Sequence, residues 1–177
     1  MNPRAWGPIK QLAYVVDNLD ASIQRWIDLH GVGPWTVYRN ASMHGHFLDV
    51  ETTVKLNVGL SYQHDLQIEL IEPLGLAPSP YQDSSGRALL GMHHIAWHSD
   101  DLDRDLIEAR ARGLPSVFEA GNGAVRIAYL ASRQQAGMLF EFIETTPQLL
   151  AGFAAGLQAS RDWDGISAPV TVIDLAA

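Results

Sequence analysis

KQLAYVVDNLD at residues 10–20 is repeated as HHIAWHSDDLD at residues 93–103. A second pair, QIELIEP at 67–73 and LFEFIET at 139–145, follows in the same order. The recurring positions are Ala13, Asp17, Leu19, Asp20, Glu69 and Glu72, which return as Ala96, Asp100, Leu102, Asp103, Glu141 and Glu144. Because self-similarity in a fixed order indicates duplicated structural units, the sequence predicts two copies of one module.

Each copy has the pattern of a β-α-β-β-β unit. A short apolar strand is followed by an Asp and Asn cluster that can cap a helix, and then by apolar residues at helical spacing. Downstream, apolar and polar residues alternate, which is typical of half-buried strands. These strands are predicted at 35–39, 53–62 and 66–72 in the first copy and at 116–120, 124–131 and 138–144 in the second.

The predicted boundaries follow from the breaks between these patterns. We expect a first module at 7–73, a linker at 74–90, a second module at 91–145, and a C-terminal helix and tail at 146–177. The linker is rich in Pro, Ser and Gly, and we expect it to lie over the site. The C-terminal helix should begin at Pro147 and carry Leu150, Phe153 and Leu157 on one face.

The segment ASMHGHF at 41–47 contains two further histidines, His44 and His46. With Gly45 read as a breaker, we expect a flexible stretch that contacts substrate at most.

The composition excludes several classes of protein. The 177 residues are 47% hydrophobic and 18% charged, which is typical of a globular chain. A formal charge of −8 with only two lysines, Lys10 and Lys55, disfavours nucleic-acid binding. The longest apolar stretch, 149–157, is too short to span a bilayer, and no signal peptide is evident. We therefore expect a soluble cytoplasmic protein without nucleic-acid or membrane partners, and a homodimer is plausible.

Two glutamates at matching positions point to a metal site. Glu69 and Glu141 each lie between large apolar neighbours in a predicted strand, where an unpaired carboxylate is costly to bury. Gln11 and His94 occupy matching positions in the first strand of each copy. The absence of cysteine excludes thiolate ligands, so these four side chains form the predicted shell. Three oxygens and one nitrogen suit a divalent ion such as Zn, Ni, Co, Mn or Fe.

An ion pair with an arginine such as Arg126 is the alternative explanation for a buried glutamate at either position.

The neighbour of His94 should not belong to the site. Strand alternation places His93 on the opposite side of the strand from His94.

These stretches resemble the vicinal oxygen chelate superfamily, which includes glyoxalase I, methylmalonyl-CoA epimerase, extradiol dioxygenases and bleomycin resistance proteins. HHIAWHSDDLD resembles the opening of its second module, QIELIEP and LFEFIE resemble its ligand-bearing strands, and GVGPW at 31–35 resembles a turn of epimerase-like members. The resemblance covers residues 7–145. It implies an α+β fold in which tandem βαβββ modules form a cupped, partly closed mixed sheet. Its ligand positions fall on Gln11, Glu69, His94 and Glu141.

The resemblance also implies a chemistry. We expect a divalent-metal-dependent isomerase, epimerase or lyase that stabilises an enediolate or enolate next to a substrate carbonyl. Glu141 and Glu69 are the candidate bases, with Glu141 slightly preferred. The predicted ligands include only one histidine, His94. This disfavours an extradiol dioxygenase, which needs two histidine ligands. The alternative function is a metal-free, drug-sequestering protein that binds a small molecule in the same groove.

We expect the substrate to be a small molecule with a carbonyl group, either bulky and aromatic or a thioester. Candidate wall residues are Trp35, Tyr38, Met43, Phe47 and Tyr81, which suit an apolar ligand or, equally, core packing. The scarcity of lysine disfavours a CoA thioester, although Arg39, Arg87 and Arg126 could contact its phosphates.

Overall fold

A computed structural model describes residues 6–176, except for the side chains of residues 135 and 136. In chain order the elements are β1 (Gln11–Val15), α1 (Leu19–His30), β2 (Trp35–Phe47), β3 (Val50–Gln63), β4 (Leu66–Leu74), β5 (Gly91–Ser99), α2 (Leu102–Ala111), β6 (Ser116–Gly121), β7 (Arg126–Ser132), β8 (Gln135–Glu144), α3 (Pro147–Asp162) and β9 (Val170–Asp174). Within the described range, no helix is long and apolar enough to cross a membrane.

The helices of the two modules begin at the caps that the repeat predicts. The side chain of Asn18 accepts a hydrogen bond from the Ala21 amide at 2.8 Å, and that of Asp101 accepts one from the Arg104 amide at 3.0 Å. Each cap satisfies an amide that the first helical turn leaves without a partner. Gly31 ends α1 in the left-handed region, with φ of 62°, which glycine adopts without steric cost.

The strands form one mixed sheet that closes on itself. The strand order is β3-β4-β1-β5-β8-β7-β6-β2-β9, and β2 also pairs with β3. The pairs β1–β4 and β5–β8 are parallel, whereas β1 and β5 join the two modules in antiparallel fashion. Residues 44–47 of β2 pair with β6 and complete a barrel-like ring of eight strands. The predicted fold of tandem βαβββ units in a curved mixed sheet is therefore confirmed.

The apolar residues divide between the inside of the ring and its outer surface. Ile68 and Leu70 pack with Leu19 and Ile23 of α1 on the outside. Because side chains alternate along a strand, Gln67, Glu69 and Ile71 face the interior. A separate outer cluster lies against α2. The interior cluster consists of Ala13, Val15, Met43, Val54, Leu56, Ile71, Tyr81, Ala96, Phe118, Ala120, Ile127, Tyr129 and Ile143.

The segment 41–47 is a strand and not the flexible stretch that we expected. Gly45 was read as a breaker, but it lies within β2 opposite Ala120 of β6. A Cβ atom at Gly45 would lie 1.9 Å from the carbonyl oxygen of Glu119. The glycine therefore allows two backbones to approach closely where the ring closes.

The C-terminal region adds a helix and a strand to this ring. α3 begins at Pro147, as predicted, with the Thr146 hydroxyl accepting from the Leu149 amide at 3.1 Å. Leu149 and Phe153 pack against the interior cluster, whereas Leu150, which we expected on that face, is 45% exposed. Beyond α3, β9 pairs in parallel with the first half of β2.

Candidate metal centre

The four predicted ligands lie on four neighbouring strands. In the order β4, β1, β5 and β8, these strands carry Glu69, Gln11, His94 and Glu141. The His94 Nε2 atom lies 3.3 Å from Glu69 Oε2 and 3.0 Å from Glu141 Oε2. It lies 3.3 Å from Gln11 Oε1. The fold thus brings one oxygen atom from each of the other three ligands close to His94 Nε2. Each module contributes two of the four side chains.

The repeat is visible in the register around this cluster. Ala13 of β1 lies beside Glu69 of β4, and Ala96 of β5 lies beside Glu141 of β8. Both alanines are fully buried and face the interior. Their small side chains leave room for the glutamates on the neighbouring strands.

Burial and charge act against each other in this cluster. Burial alone would lower the pKa of His94, but the carboxylates of Glu141 and Glu69 outweigh it and raise that pKa to about 9. Burial raises the pKa of Glu141, partly offset by attraction to His94. At neutral pH the His94 imidazole is therefore protonated, and its Nε2–H group faces the oxygens of Gln11, Glu69 and Glu141.

The donor set fits a divalent ion. Glu141 Oε2 is buried and has no hydrogen-bond partner among the described residues, although it lies 3.0 Å from His94 Nε2. Donor atoms about 2.1 Å from an ion in a tetrahedral site are roughly 3.4 Å apart, similar to the distances around His94. Within residues 6–176, no three His, Cys, Asp or Glu side chains form a ready metal cage. The carboxylate oxygens contact the imidazole directly, so an ion would have to replace its proton.

The orientation of the Gln11 amide is set by a chain of hydrogen bonds. Gln11 Nε2 donates to Gln67 Oε1 at 2.8 Å, and Gln67 Nε2 donates to the Tyr62 hydroxyl at 2.7 Å. With its nitrogen so engaged, Gln11 presents its oxygen to His94. Gln67 and Tyr62 are not among the site residues predicted from the sequence, although Gln67 shares a strand face with Glu69.

The prediction that His93 faces away from His94 is wrong. Ala13 pairs with His94 and Tyr14 with Met92, so His93 is the extra residue of a bulge in β5. Both imidazoles are buried, and their Nδ1 atoms are 2.8 Å apart. The Nε2 atom of His93 lies 2.9 Å from the carbonyl oxygen of Pro80.

Two tyrosines complete the surroundings of the cluster. The Tyr129 ring lies 4.7 Å from that of His94, and its hydroxyl is 2.8 Å from the Tyr81 hydroxyl. Tyr81 comes from the segment between the modules and is only 1% exposed. Burial raises the pKa of both tyrosines well above the ordinary value, which keeps them neutral. The sequence analysis did not single out Tyr129.

The residues predicted to bind substrate do not all lie together. Met43, Phe47 and Tyr81 pack in or against the interior cluster. Trp35 is buried in the outer cluster under α1, where its indole donates to the Val32 carbonyl at 2.8 Å. Tyr38 is half-buried on β2.

Arg39, Arg87 and Arg126, the arginines considered in the sequence analysis, pair with neither glutamate of the cluster. Arg126, the alternative partner for Glu141, instead pairs with Asp103 at 2.5 Å and Glu144 at 3.6 Å. Arg39 pairs with Asp20 and Glu72, and Arg87 pairs with Asp83.

Of two cavities formed by the described residues, the larger one approaches the cluster. A groove of about 790 Å³ is lined by His93, Pro80, Leu89, Met92 and Leu139 among others, with the exposed side chain of Arg87 at its edge. Tyr81, which follows Pro80 in the chain, is buried and does not line the groove. A smaller cavity of about 420 Å³ includes His44 and Glu144 but none of the four predicted ligands. The larger groove is the better candidate for ligand access, because it ends one residue from His94.

Comparison with known proteins supports the fold. The sequence profile described as "Glyoxalase/Bleomycin resistance protein/Dioxygenase superfamily" matches residues 10–129. A hypothetical protein from Bacillus halodurans is 18% identical with a TM-score of 0.53, over 80% of this chain and 96% of that chain. Methylmalonyl-CoA epimerase from Mycobacterium tuberculosis is 20% identical with a TM-score of 0.51, over 81% of this chain and 91% of that chain. At these identities the solved structures share the fold alone. No curated protein sequence matches the chain.

Proposed function

The chain belongs to the glyoxalase, bleomycin resistance protein and dioxygenase superfamily, and from this premise we propose a divalent-metal-dependent isomerase, epimerase or lyase that acts next to a substrate carbonyl. The observation that carries the proposal is the convergence of Gln11 Oε1, Glu69 Oε2 and Glu141 Oε2 on His94 Nε2. One imidazole and three oxygens form a donor set for a borderline divalent ion.

The four side chains would hold the ion within the ring. A bound ion would polarise the carbonyl of the substrate and stabilise the negative charge of its enolate. The interior supports such chemistry because His94 and Glu141 are almost fully buried, so water is largely excluded and charge interactions are strengthened.

A carboxylate of the cluster would move the proton. It would take a proton from the carbon next to the carbonyl and return it to the same or a neighbouring atom. Glu141 is the preferred base, because its Oε2 atom is buried without a hydrogen-bond partner among the described residues. It would act as the base when substrate or water displaces it from the ion. Glu69 is the second candidate, with 15% of its side chain exposed.

The substrate would place its apolar part in the larger groove. The groove is lined mainly by apolar side chains, including Leu89, Met92 and Leu139. This lining favours a bulky or aromatic carbonyl compound. Arg87, whose side chain is 84% exposed, is a cation at the groove that could contact the phosphates of a thioester.

Metal titration followed by solvent exchange tests the proposal. Chelator-treated protein is titrated with Zn, Mn, Co and Ni, and about one ion per chain is expected. Glu69→Gln and Glu141→Gln should each weaken binding. Glu72→Gln is the matched control, because Glu72 lies on the same strand but pairs with Asn57 and Arg39. Unchanged metal content in both variants would contradict the proposal.

The loaded protein is then incubated in heavy water with 2-oxo acids, hemithioacetals, acyl-CoA thioesters and aromatic hydroxy-ketones. Deuterium should appear at the carbon next to the carbonyl of one class, at a rate that Glu141→Gln lowers by about 100-fold or more.

One observation favours the metal-free alternative. The carboxylates contact the imidazole directly, and Tyr81 fills part of the ring, as in a site that serves packing alone. Tight binding of an aromatic ligand that chelator does not change, together with no ion uptake, would support a drug-sequestering protein instead.

A further inference from the structure

His93 has no part in the proposed chemistry, yet it is buried against a predicted metal ligand. It is 6% exposed, and its Nδ1 atom lies 2.8 Å from the Nδ1 atom of His94. Two nitrogen atoms at this distance share one proton, so one is a donor and the other an acceptor.

The carbonyl of Pro80 decides which nitrogen donates. A carbonyl oxygen only accepts, so His93 Nε2, at 2.9 Å from it, carries a hydrogen and donates. A neutral imidazole has one N–H group, which leaves His93 Nδ1 as an acceptor. The proton between the two histidines therefore belongs to His94 Nδ1.

We propose that His93 is a positioning residue: held by Pro80, it fixes His94 with Nδ1 protonated and Nε2 directed to the ion. This inference rests on the proposed function, because His94 is the imidazole that would hold the ion. The opposite arrangement, with a proton on His93 Nδ1, would make His94 Nδ1 the acceptor and leave the hydrogen of neutral His94 on Nε2. An ion could then bind Nε2 only by displacing the last N–H hydrogen of the imidazole.

The packing around His93 holds its ring in the required orientation. Tyr81 stacks on it with ring centres 5.0 Å apart and planes at 27°, and Tyr129 meets it edge-on at 5.5 Å. The bulge in β5 places His93 on the same side as His94. Without this extra residue, alternation would point His93 to the outside of the ring.

His93 also links the ligand His94 to the segment between the modules. Pro80 and Tyr81 both belong to that segment, and Pro80 lines the larger groove. Movement of this segment would release His93 and, through it, His94. Neighbours of this kind that orient a ligand commonly change metal affinity by about 10–100-fold.

Nitrogen NMR of histidine-labelled protein tests the arrangement directly. In protein without metal, a scalar coupling across the hydrogen bond should connect His94 Nδ1 and His93 Nδ1, and His93 should carry its hydrogen on Nε2. The same coupling should persist after zinc is added. A hydrogen on His93 Nδ1, or no coupling between the two nitrogens, would overturn the inference.

Three variants measure the effect on zinc binding by chelator competition. His93→Phe keeps a planar ring but cannot accept, and should weaken zinc binding about 10–100-fold. His93→Gln can both accept from His94 and donate to Pro80, so it should recover most of the loss. His98→Phe, on the same strand, is the control and should stay within about 2-fold of the wild type. Unchanged affinity in folded His93→Phe would overturn the inference.

The two proposals fail in different ways. A wild-type protein that takes up no ion contradicts the proposed function, whereas the coupling in metal-free protein decides the placement of the His93 proton by itself.

Discussion

Gln67 accepts a hydrogen bond of 2.8 Å from the side-chain amide of Gln11. Gln67 is 4% exposed, and its own amide donates to Tyr62. The two bonds fix both amides, so that the oxygen of Gln11 faces His94. The first module therefore orients its ligand through side chains of β3 and β4.

Replacing Gln67 should weaken metal binding without removing a ligand. In Gln67→Leu, the Gln11 amide loses its acceptor and can rotate, so we expect zinc affinity to fall about 10–100-fold. The change also leaves a buried donor unpaired, at a cost of about 1–3 kcal/mol in the free energy of unfolding. Gln63→Leu, at an exposed position of β3, is the control for chelator competition. Equal affinity in the two variants would contradict the role of Gln67.

Metal binding should release a proton from His94. The pKa of this imidazole is raised to about 9, so below that pH the metal-free side chain is protonated. An ion needs the lone pair of Nε2, so binding displaces this proton. Affinity should therefore rise with pH up to about 9 and then level off.

Calorimetry in buffers of different ionisation enthalpy measures this release. At pH 7 about one proton per bound ion should come from His94. Burial raises the pKa of Glu141, so any fraction of this carboxyl group that is protonated adds to the release. Release that is absent at pH 7, or that grows as pH rises past 9, would show that His94 is not displaced.

Closing the ring should depend on Gly45. In Gly45→Ala the new Cβ would meet backbone atoms of Glu119 and Ala120 at 1.9 and 2.6 Å, so one strand must move. We expect a loss of about 1–3 kcal/mol or more in the free energy of unfolding, measured with urea. Gly152→Ala is the control, because its Cβ would have nothing within 4 Å and α3 should gain about 0.5–1 kcal/mol. Similar urea midpoints for Gly45→Ala and Gly152→Ala would contradict the role of Gly45 in closing the ring.

The packing of α3 on the ring can be followed through His98. Phe153 stacks on His98 with ring centres 4.9 Å apart, and burial together with Lys10 lowers the pKa of His98. Phe153→Ala should expose this imidazole and raise its pKa toward the ordinary value, as NMR titration would measure. Leu150→Ala, at an exposed site on the same helix, should leave the titration unchanged. The same shift in both variants would argue against the helix orientation.

Local patterns and the repeat predicted much of this fold. The caps at Asn18 and Asp101 depend on neighbours three residues away, so the sequence alone indicates them. The sequence also predicted that Glu69 and Glu141 belong to one site, because duplicated modules place matching residues at matching strand positions. The convergence of all four predicted ligands then follows from the joining of β1 to β5.

Features that depend on distant pairing were not predictable from these patterns. The bulge that turns His93 inward exists only because β5 pairs with β1, some 80 residues earlier in the chain. Similarly, Gly45 looked like a breaker because its contact, Glu119, comes from the second module. The module boundaries themselves stay a prediction.

Anomalous diffraction from crystals grown with zinc or manganese would show whether an ion binds to the four predicted ligands. We expect one strong peak inside the ring, about 2.0–2.3 Å from His94 Nε2 and from oxygens of Gln11, Glu69 and Glu141. No peak at these residues, or full occupancy only at a surface histidine such as His44, would contradict it.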